Sequence, residues 1–196
     1  MQGDEGKING SKKSPRCIVE HDQQPQIYNF QDCIERQADY FNAFSKWLLS
    51  KSNIKECKLA TEMEDKKQGI DLWIITQEGR EIPFQVKTDF KAEKTRNICF
   101  ETVSQAYPPE ACKESVIGWG FKLDKVQYIT FIIAGEGSIY IFKPPKLFAW
   151  VMQNYNCLRG FKARNKTYDT LGVLLPLEEV KEICYYEGTI DDALPL

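Results

Sequence analysis

Two short apolar runs, Ile70 to Thr76 and Ile82 to Thr88, stand close together with only the turn residues Gln77-Glu78-Gly79-Arg80 and Glu81 between them. Both runs are rich in β-branched and aromatic residues, and so short a polar link with a glycine leaves the chain little choice but to fold back on itself. The pattern predicts two neighbouring strands of one hairpin. Side chains alternate between the two faces of a strand, so Gln85 and Lys87 project together while Phe84 and Val86 point the other way, into a core. A glutamine and a lysine on one face of an otherwise apolar strand require an explanation.

The rest of the chain supplies a frame for that hairpin. Between Tyr28 and Ser50 the apolar residues Ile34, Ala38, Phe41, Phe44, Trp47 and Leu48 recur at helical spacing, which predicts a long amphipathic helix laid on a sheet. Further strands are expected over Ile54–Thr61, Asn97–Val103 and Leu171–Leu175. A second hairpin, Gln127–Ala134 with Ser138–Phe142, turns at Gly135-Glu136-Gly137. Pro144 and Pro145 suit the first turn of a helix, and Pro176 opens a short final one. The order predicts an α+β or mixed α/β domain, a central mixed β-sheet flanked by helices. Residues 1 to about 26 carry no hydrophobic period and read as a flexible polar leader, leaving 27–196 as a single domain.

Composition excludes several classes. Hydrophobic residues at 42% of 196 provide for a real core, and no apolar run is long enough to span a membrane. The polar start, Met1 to Ser14, lacks the apolar stretch of a secretion signal. Seven cysteines form no CxxC pair, and the lone His21 sits in the leader. A zinc site and imidazole chemistry are both disfavoured, and reduced thiols in a cytoplasmic protein are the expectation. The net charge of −2 does not announce nucleic-acid binding, although Lys87, Lys91, Lys94 and Arg96 cluster on one stretch. No GxGxxG or GxxxxGK[ST] suggests a nucleotide site.

Asp71 stands at the head of the first hairpin strand, with Gln85, Val86 and Lys87 on the second. Phosphodiester hydrolysis needs a divalent cation to neutralise phosphate and activate water, and hard cations take oxygen ligands. The Asp71 carboxylate, the Gln85 side-chain carbonyl and the Val86 main-chain carbonyl could supply them, with Lys87 beside the attacking water.

Gly69-Ile70-Asp71-Leu72-Trp73-Ile74 followed by Phe84-Gln85-Val86-Lys87-Thr88 resembles the PD-(D/E)XK superfamily, which includes many restriction endonucleases, Holliday-junction resolvases and phage-type nucleases. The resemblance runs from about Glu35 to Lys87 and more loosely to Phe142. It implies a restriction-endonuclease-like core of a helix, three mixed strands, a helix and another strand, with the acids on the second and third strands. It also implies Mg²⁺ (or Mn²⁺) as cofactor and DNA as substrate, with RNA the lesser alternative, since no motif reads a 2′-hydroxyl. Many relatives act as homodimers. Glu35, on the helix before the hairpin, occupies a place where the family often adds an acid to the metal site.

One departure matters: the family prefers Asp or Glu where this chain has Gln85. The QxK form is similar to that of some type IV restriction endonucleases. A second carboxylate would help a neutral amide hold a hard cation. Glu35 and Glu101 are preferred for this role over Glu62, Glu64 and Asp65, which read as part of a polar loop. Beyond the strand, Lys91, Lys94 and Arg96 are expected to form a basic loop contacting phosphates. Gly118-Trp119-Gly120-Phe121 reads as a turn packed on the core, the alternative being an aromatic platform for an unpaired base. The rival to an endonuclease is the same fold without catalysis, serving as a nucleic-acid-binding or assembly module.

Overall fold

The computed structural model describes residues 30–165 and 167–190. The predicted leader, 1–26, and His21 lie outside the described residues. The chain runs through α1 (Phe30–Leu49), β1 (Ile54–Leu59), α2 (Glu62–Gln68), β2 (Leu72–Thr76), β3 (Glu81–Asp89), α3 (Ala92–Thr95), β4 (Asn97–Ala106) and β5 (Val116–Ile117). It continues with β6 (Tyr128–Ile133), β7 (Ser138–Phe142), α4 (Pro144–Asn154), β8 (Arg159–Arg164), β9 (Asp169–Pro176), α5 (Leu177–Val180) and β10 (Tyr186–Thr189). None of the described helices is long and apolar enough to cross a membrane.

Among the described residues, ten strands form two sheets in a mixed α+β arrangement. The first sheet has the order β1-β2-β3-β6-β7-β10, antiparallel throughout except where β6 runs parallel to β3. Both predicted hairpins are present, as Leu72 pairs with Phe84 and Ile132 with Ile139. The second sheet, β5-β4-β9-β8, is wholly antiparallel. It corrects the expectation of one sheet, because β4 and β9 pair with each other and not with the hairpins. Their apolar residues Ile98, Phe100, Val173 and Leu175 are all buried, so this second sheet shares a core instead of extending the first.

That core lies between the second sheet, α4 and one face of the first sheet, where Ile129, Phe131 and Ile133 meet Phe100, Phe142, Leu147 and Val151. The opposite face of the first sheet carries α1. Ala43, Phe44 and Leu48 on the helix pack there against Leu72, Ile74, Phe84, Val86 and Ile132. Each fully buried Leu, Ile or Phe side chain contributes about 1.5–3 kcal/mol relative to exposure. Phe84 and Val86 therefore fix β3 with one face against α1, and Gln85 and Lys87 must emerge on the other.

The segment before β2 also differs from expectation. Glu62 to Asp65, read as loop, belong to α2, which buries no residue and so shows no hydrophobic period. Its stability is local. The Thr61 hydroxyl accepts from Glu64 N–H, while Glu64 Oε2 accepts from Thr61 N–H at 2.7 Å, a reciprocal cap. The acids Glu62, Glu64 and Asp65 sit in its first turn and Lys66 and Lys67 in its last, each favourable to the helix dipole. Gly69 ends it in the left-handed conformation at φ 67°, a backbone state that glycine adopts without steric cost.

Candidate active site

The site is assembled where β2 begins. Ladder pairing stops at Leu72 opposite Phe84, and one step further the register sets Asp71 opposite Gln85, on the same face. Asp71 N–H donates to Phe84 O at 2.9 Å, and Ala60 N–H donates to Asp71 O at 3.1 Å, so the backbone of Asp71 is held from both neighbouring strands. Its side chain takes over a role that main chain plays elsewhere in the ladder: Asp71 Oδ2 accepts a hydrogen bond from Val86 N–H at 2.7 Å. Because the N–H and C=O of one strand residue point to the same edge, the Val86 carbonyl also faces the place where β2 has ended.

Lys87 follows on the Gln85 face. Its Nζ lies 3.9 Å from Asp71 Oδ2, an ion pair too long to be a hydrogen bond. The ammonium also lies 5.8 Å from the centroid of Trp119, whose ring packs on Phe100 and Phe131. The Asp71 side chain is 19% exposed and that of Lys87 29%. Burial pushes the Asp71 carboxyl above its ordinary value, while Lys87 and the Val86 N–H pull the other way and the nearby Asp65 carboxylate adds to the rise.

Gln85 is 2% exposed, and its Oε1 has no hydrogen-bond partner. Leaving a buried carbonyl oxygen unmatched costs about 1–3 kcal/mol, so such an oxygen suits a site built to receive a cation or a donor. The amide sits under Gly69, where an added Cβ would come within 3.2 Å of Gln85 Nε2 and 3.3 Å of Lys122 O. The donor set of Asp71, Gln85 Oε1 and the Val86 carbonyl is all oxygen, which fits Mg²⁺ or Mn²⁺ and not a thiophilic metal. Among the described residues, no three His, Cys, Asp or Glu side chains converge on one point.

No family model, curated protein or solved structure matches the chain.

The structure thus brings Asp71, Gln85, Val86 and Lys87 together. Glu35 falls on α1, but its side chain lies outside the described residues. Glu101 is on β4 in the second sheet, where its carboxylate accepts the Ser104 hydroxyl. The carboxylate that adds to the rise of the Asp71 carboxyl is that of Asp65, in the first turn of α2. Sequence reasoning set Asp65 aside as a loop residue. The signal that places it on a helix was Thr61-x-x-Glu64 with Gly69 following.

The basic segment is also more ordered than expected. β3 runs on to Asp89, whose Oδ1 accepts from Lys91 and Ala92 N–H at 2.8 and 2.9 Å and starts α3. Lys91 and Lys94 are exposed. Arg96 instead binds Glu136 at 2.8 Å and Glu178 at 2.7 Å, tying the start of β4 to the β6–β7 turn and to α5. Trp119 is partly buried and packs against the core, as the turn reading expects, whereas Phe121 is 45% exposed and edges onto Phe148.

Proposed function

We propose that the chain is a divalent-cation-dependent endonuclease that hydrolyses phosphodiester bonds in DNA on a restriction-endonuclease-like, PD-(D/E)XK core. The observation that carries this reading is the buried, unpartnered Gln85 Oε1 on the same face as Asp71 and Lys87. The succession α1, then β1-β2-β3, with a further strand laid beside β3, accords with that core. The stretch between β3 and β6 departs from it, since the single-turn α3 and then β4 and β5 stand where the family has one helix.

Asp71, Gln85 Oε1 and the Val86 carbonyl would hold the cation. A bound Mg²⁺ or Mn²⁺ would neutralise phosphate charge and lower the pKa of a water. Lys87 has the freedom this chemistry asks of it, as an ion pair at 3.9 Å leaves its N–H donors unspent on Asp71. Its ammonium can orient the attacking water and offset charge developing on the phosphate. The Trp119 ring lies on one side of that ammonium, 5.8 Å from it. No covalent intermediate is required, since no activated serine, cysteine or histidine takes part.

A second reading, a catalytically silent nucleic-acid-binding module, draws on the neutral Gln85 and on the charge balance that Lys87 already gives Asp71. One assay separates the two. Purified protein is incubated with plasmid, linear, branched and single-stranded DNA in Mg²⁺ or Mn²⁺, beside Asp71→Ala. Cutting that vanishes in the variant and in chelator supports the enzyme. Cutting that survives excess chelator sinks the metal mechanism, and equal DNA binding without any cutting favours the silent module.

A further inference from the structure

The stretch Gly118-Trp119-Gly120-Phe121 is pressed onto β4, yet it sends one of its two rings to the surface. A Cβ on Gly118 would strike Glu101 O, and one on Gly120 would strike the Phe100 ring, so only glycine lets the stretch come this close. Trp119 turns inward onto Phe100 and Phe131. Phe121 remains 45% exposed, beside Phe148 at 37%. Two large exposed rings side by side on a closely packed backbone mark a surface kept for contact.

Phe121, Phe148, Pro144 and Pro145 line a pocket of about 250 Å³, together with Gly120 and Leu123. Pockets that enclose drug-sized ligands run to about 300–1,000 Å³, so this one suits a single ring system. Phe121 meets Phe100 and Phe148 edge to face, at 6.2 and 5.8 Å between centroids, and among the described residues no ring is stacked on it. Asp124 also lines the pocket, and its carboxylate can accept N–H groups from the edge of a bound ring. The neighbouring chain is basic: residues 118–127 and 143–148 hold Lys122, Lys125, Lys143 and Lys146 against Asp124 as their one acid. An aromatic slot bordered by lysines matches an unpaired base, whose ring stacks while its phosphates follow the cations. An apolar peptide side chain would use the rings and leave the lysines without a role.

The pocket adjoins the candidate active site. Trp119, at one end of the stretch, lies 5.8 Å from Lys87 Nζ. Lys122 O, just past the other end, lies 3.3 Å from where a Cβ on Gly69 would stand, beside the Gln85 amide. Gly120 and Phe121 fall between these two contacts in the chain.

We propose that this pocket takes one unpaired base of a DNA strand, stacked against Phe121, with the backbone of that strand at the Lys87 site. The inference rests on the reading of DNA as substrate and narrows it to DNA with an unpaired base. That base comes from a single strand or is turned out of a duplex, and the chemistry recognised is the same in both.

Binding of the full chain to labelled oligonucleotides in chelator, followed by fluorescence anisotropy, tests this apart from cleavage. The probes are a single strand, a blunt duplex and a duplex carrying one unpaired base. The single strand and the duplex with the unpaired base should both bind more tightly than the blunt duplex. Phe121→Ala should weaken single-strand binding about five- to a hundredfold, the worth of one base stacked on an aromatic side chain. Phe121→Tyr should keep it, and blunt-duplex binding should not change. Circular dichroism checks folding, and Phe148→Ala, on the exposed side of α4, makes the same comparison should Phe121→Ala not fold. A preference for the single strand but not for the unpaired base in a duplex would assign the pocket to single strands alone and overturn the turned-out base. Equal binding of all three probes by the wild type, or unchanged single-strand binding in both alanine variants, would overturn the pocket. So would a wild-type dimer that Phe121→Ala dissolves without altering DNA binding, since the rings would then join two copies of the chain. Single-strand preference without any cutting in Mg²⁺ or Mn²⁺ would uphold the pocket and sink the enzyme, whereas no DNA binding at all would remove both.

Discussion

Asp71 Oδ2 has two partners of different kinds, the Val86 N–H hydrogen-bonded at 2.7 Å and the Lys87 ammonium ion-paired at 3.9 Å. The first fixes the carboxylate against β3, and the second leaves it electrostatically balanced without tying up the lysine. Consecutive residues of one strand thereby position the acid and set its charge, through the backbone of one and the side chain of the other.

Lys87→Met separates these roles. It keeps the stem of the side chain against Trp119 and removes the ammonium. Cleavage should fall by about 10²- to 10⁴-fold, the usual worth of a positioned proton-transfer group. Mn²⁺ affinity should rise, because a cation competing for Asp71 Oδ2 has gone. A variant that loses Mn²⁺ binding along with cleavage would mean that Lys87 shapes the site instead of acting on the water.

Burial raises the Asp71 carboxyl above its ordinary value, and this has a definite sign for stability. The contribution of such a group is complete below its unfolded-state pKa and is lost as pH rises through the folded-state pKa. Metal-free Asp71→Asn should therefore match the wild type in acid and exceed it near neutral pH, by on the order of 1 kcal/mol. Its amide oxygen can still accept the Val86 N–H. Thermal melts across that pH range in chelator provide the check, and a neutral-pH loss of stability would show that the Lys87 attraction outweighs burial.

Gly69 serves both as the left-handed end of α2 and as the roof of Gln85. Gly69→Ala would place a Cβ 3.2 Å from the Gln85 amide in a backbone state that alanine resists. A cost of about 1 kcal/mol in folding is expected from the conformation alone. Mn²⁺ binding should weaken as well, because the amide must shift. An unfolding curve together with a metal titration on the same sample reads both effects.

Arg96 holds two carboxylates from a left-handed backbone, φ 51°. Arg96→Ala loses the pairs and keeps the strain, while Arg96→Gly loses the pairs and relieves it. Gly should be the more stable of the two by about 1 kcal/mol, measurable by chemical denaturation. The pairing with Arg96 and Lys181 brings the Glu178 carboxyl down to about 2. The stability it lends is present above the ordinary carboxylate range and fades as pH falls toward that value. The gap between wild type and either variant should therefore close in strong acid.

Local pattern accounts for what the sequence made legible. The alternation through Phe84-Gln85-Val86-Lys87 sets which side chains share a face. The stripe ending in Phe44, Trp47 and Leu48 required α1, and the glycines between Ile133 and Ser138 required a reversal. Each is a matter of neighbours along the chain, where a period of two or of 3.6 residues is written directly in the order of side chains.

Other features were written locally in a form that hydrophobic periodicity does not detect. α2 buries nothing, so only its capping chemistry marks it. β8 is Arg159-Gly160-Phe161-Lys162-Ala163-Arg164, a basic edge strand with one large apolar side chain, and its pairing with β9 defines it.

Tertiary structure alone decided the rest. Phe100 and Val173 pair across the second sheet, Arg96 reaches Glu136 and Glu178 at 40 and 82 positions' distance, and β6 lies parallel to β3. Nothing near these residues in sequence selects such partners, because the selection comes from burying Ile98, Phe100, Phe131 and Leu175 in one core. The placing of Asp71 beside Gln85 belongs to both levels. The turn at Gly69 is local, but the direction in which Asp71 faces is set by β3, and β3 is held by the apolar residues packed beneath α1.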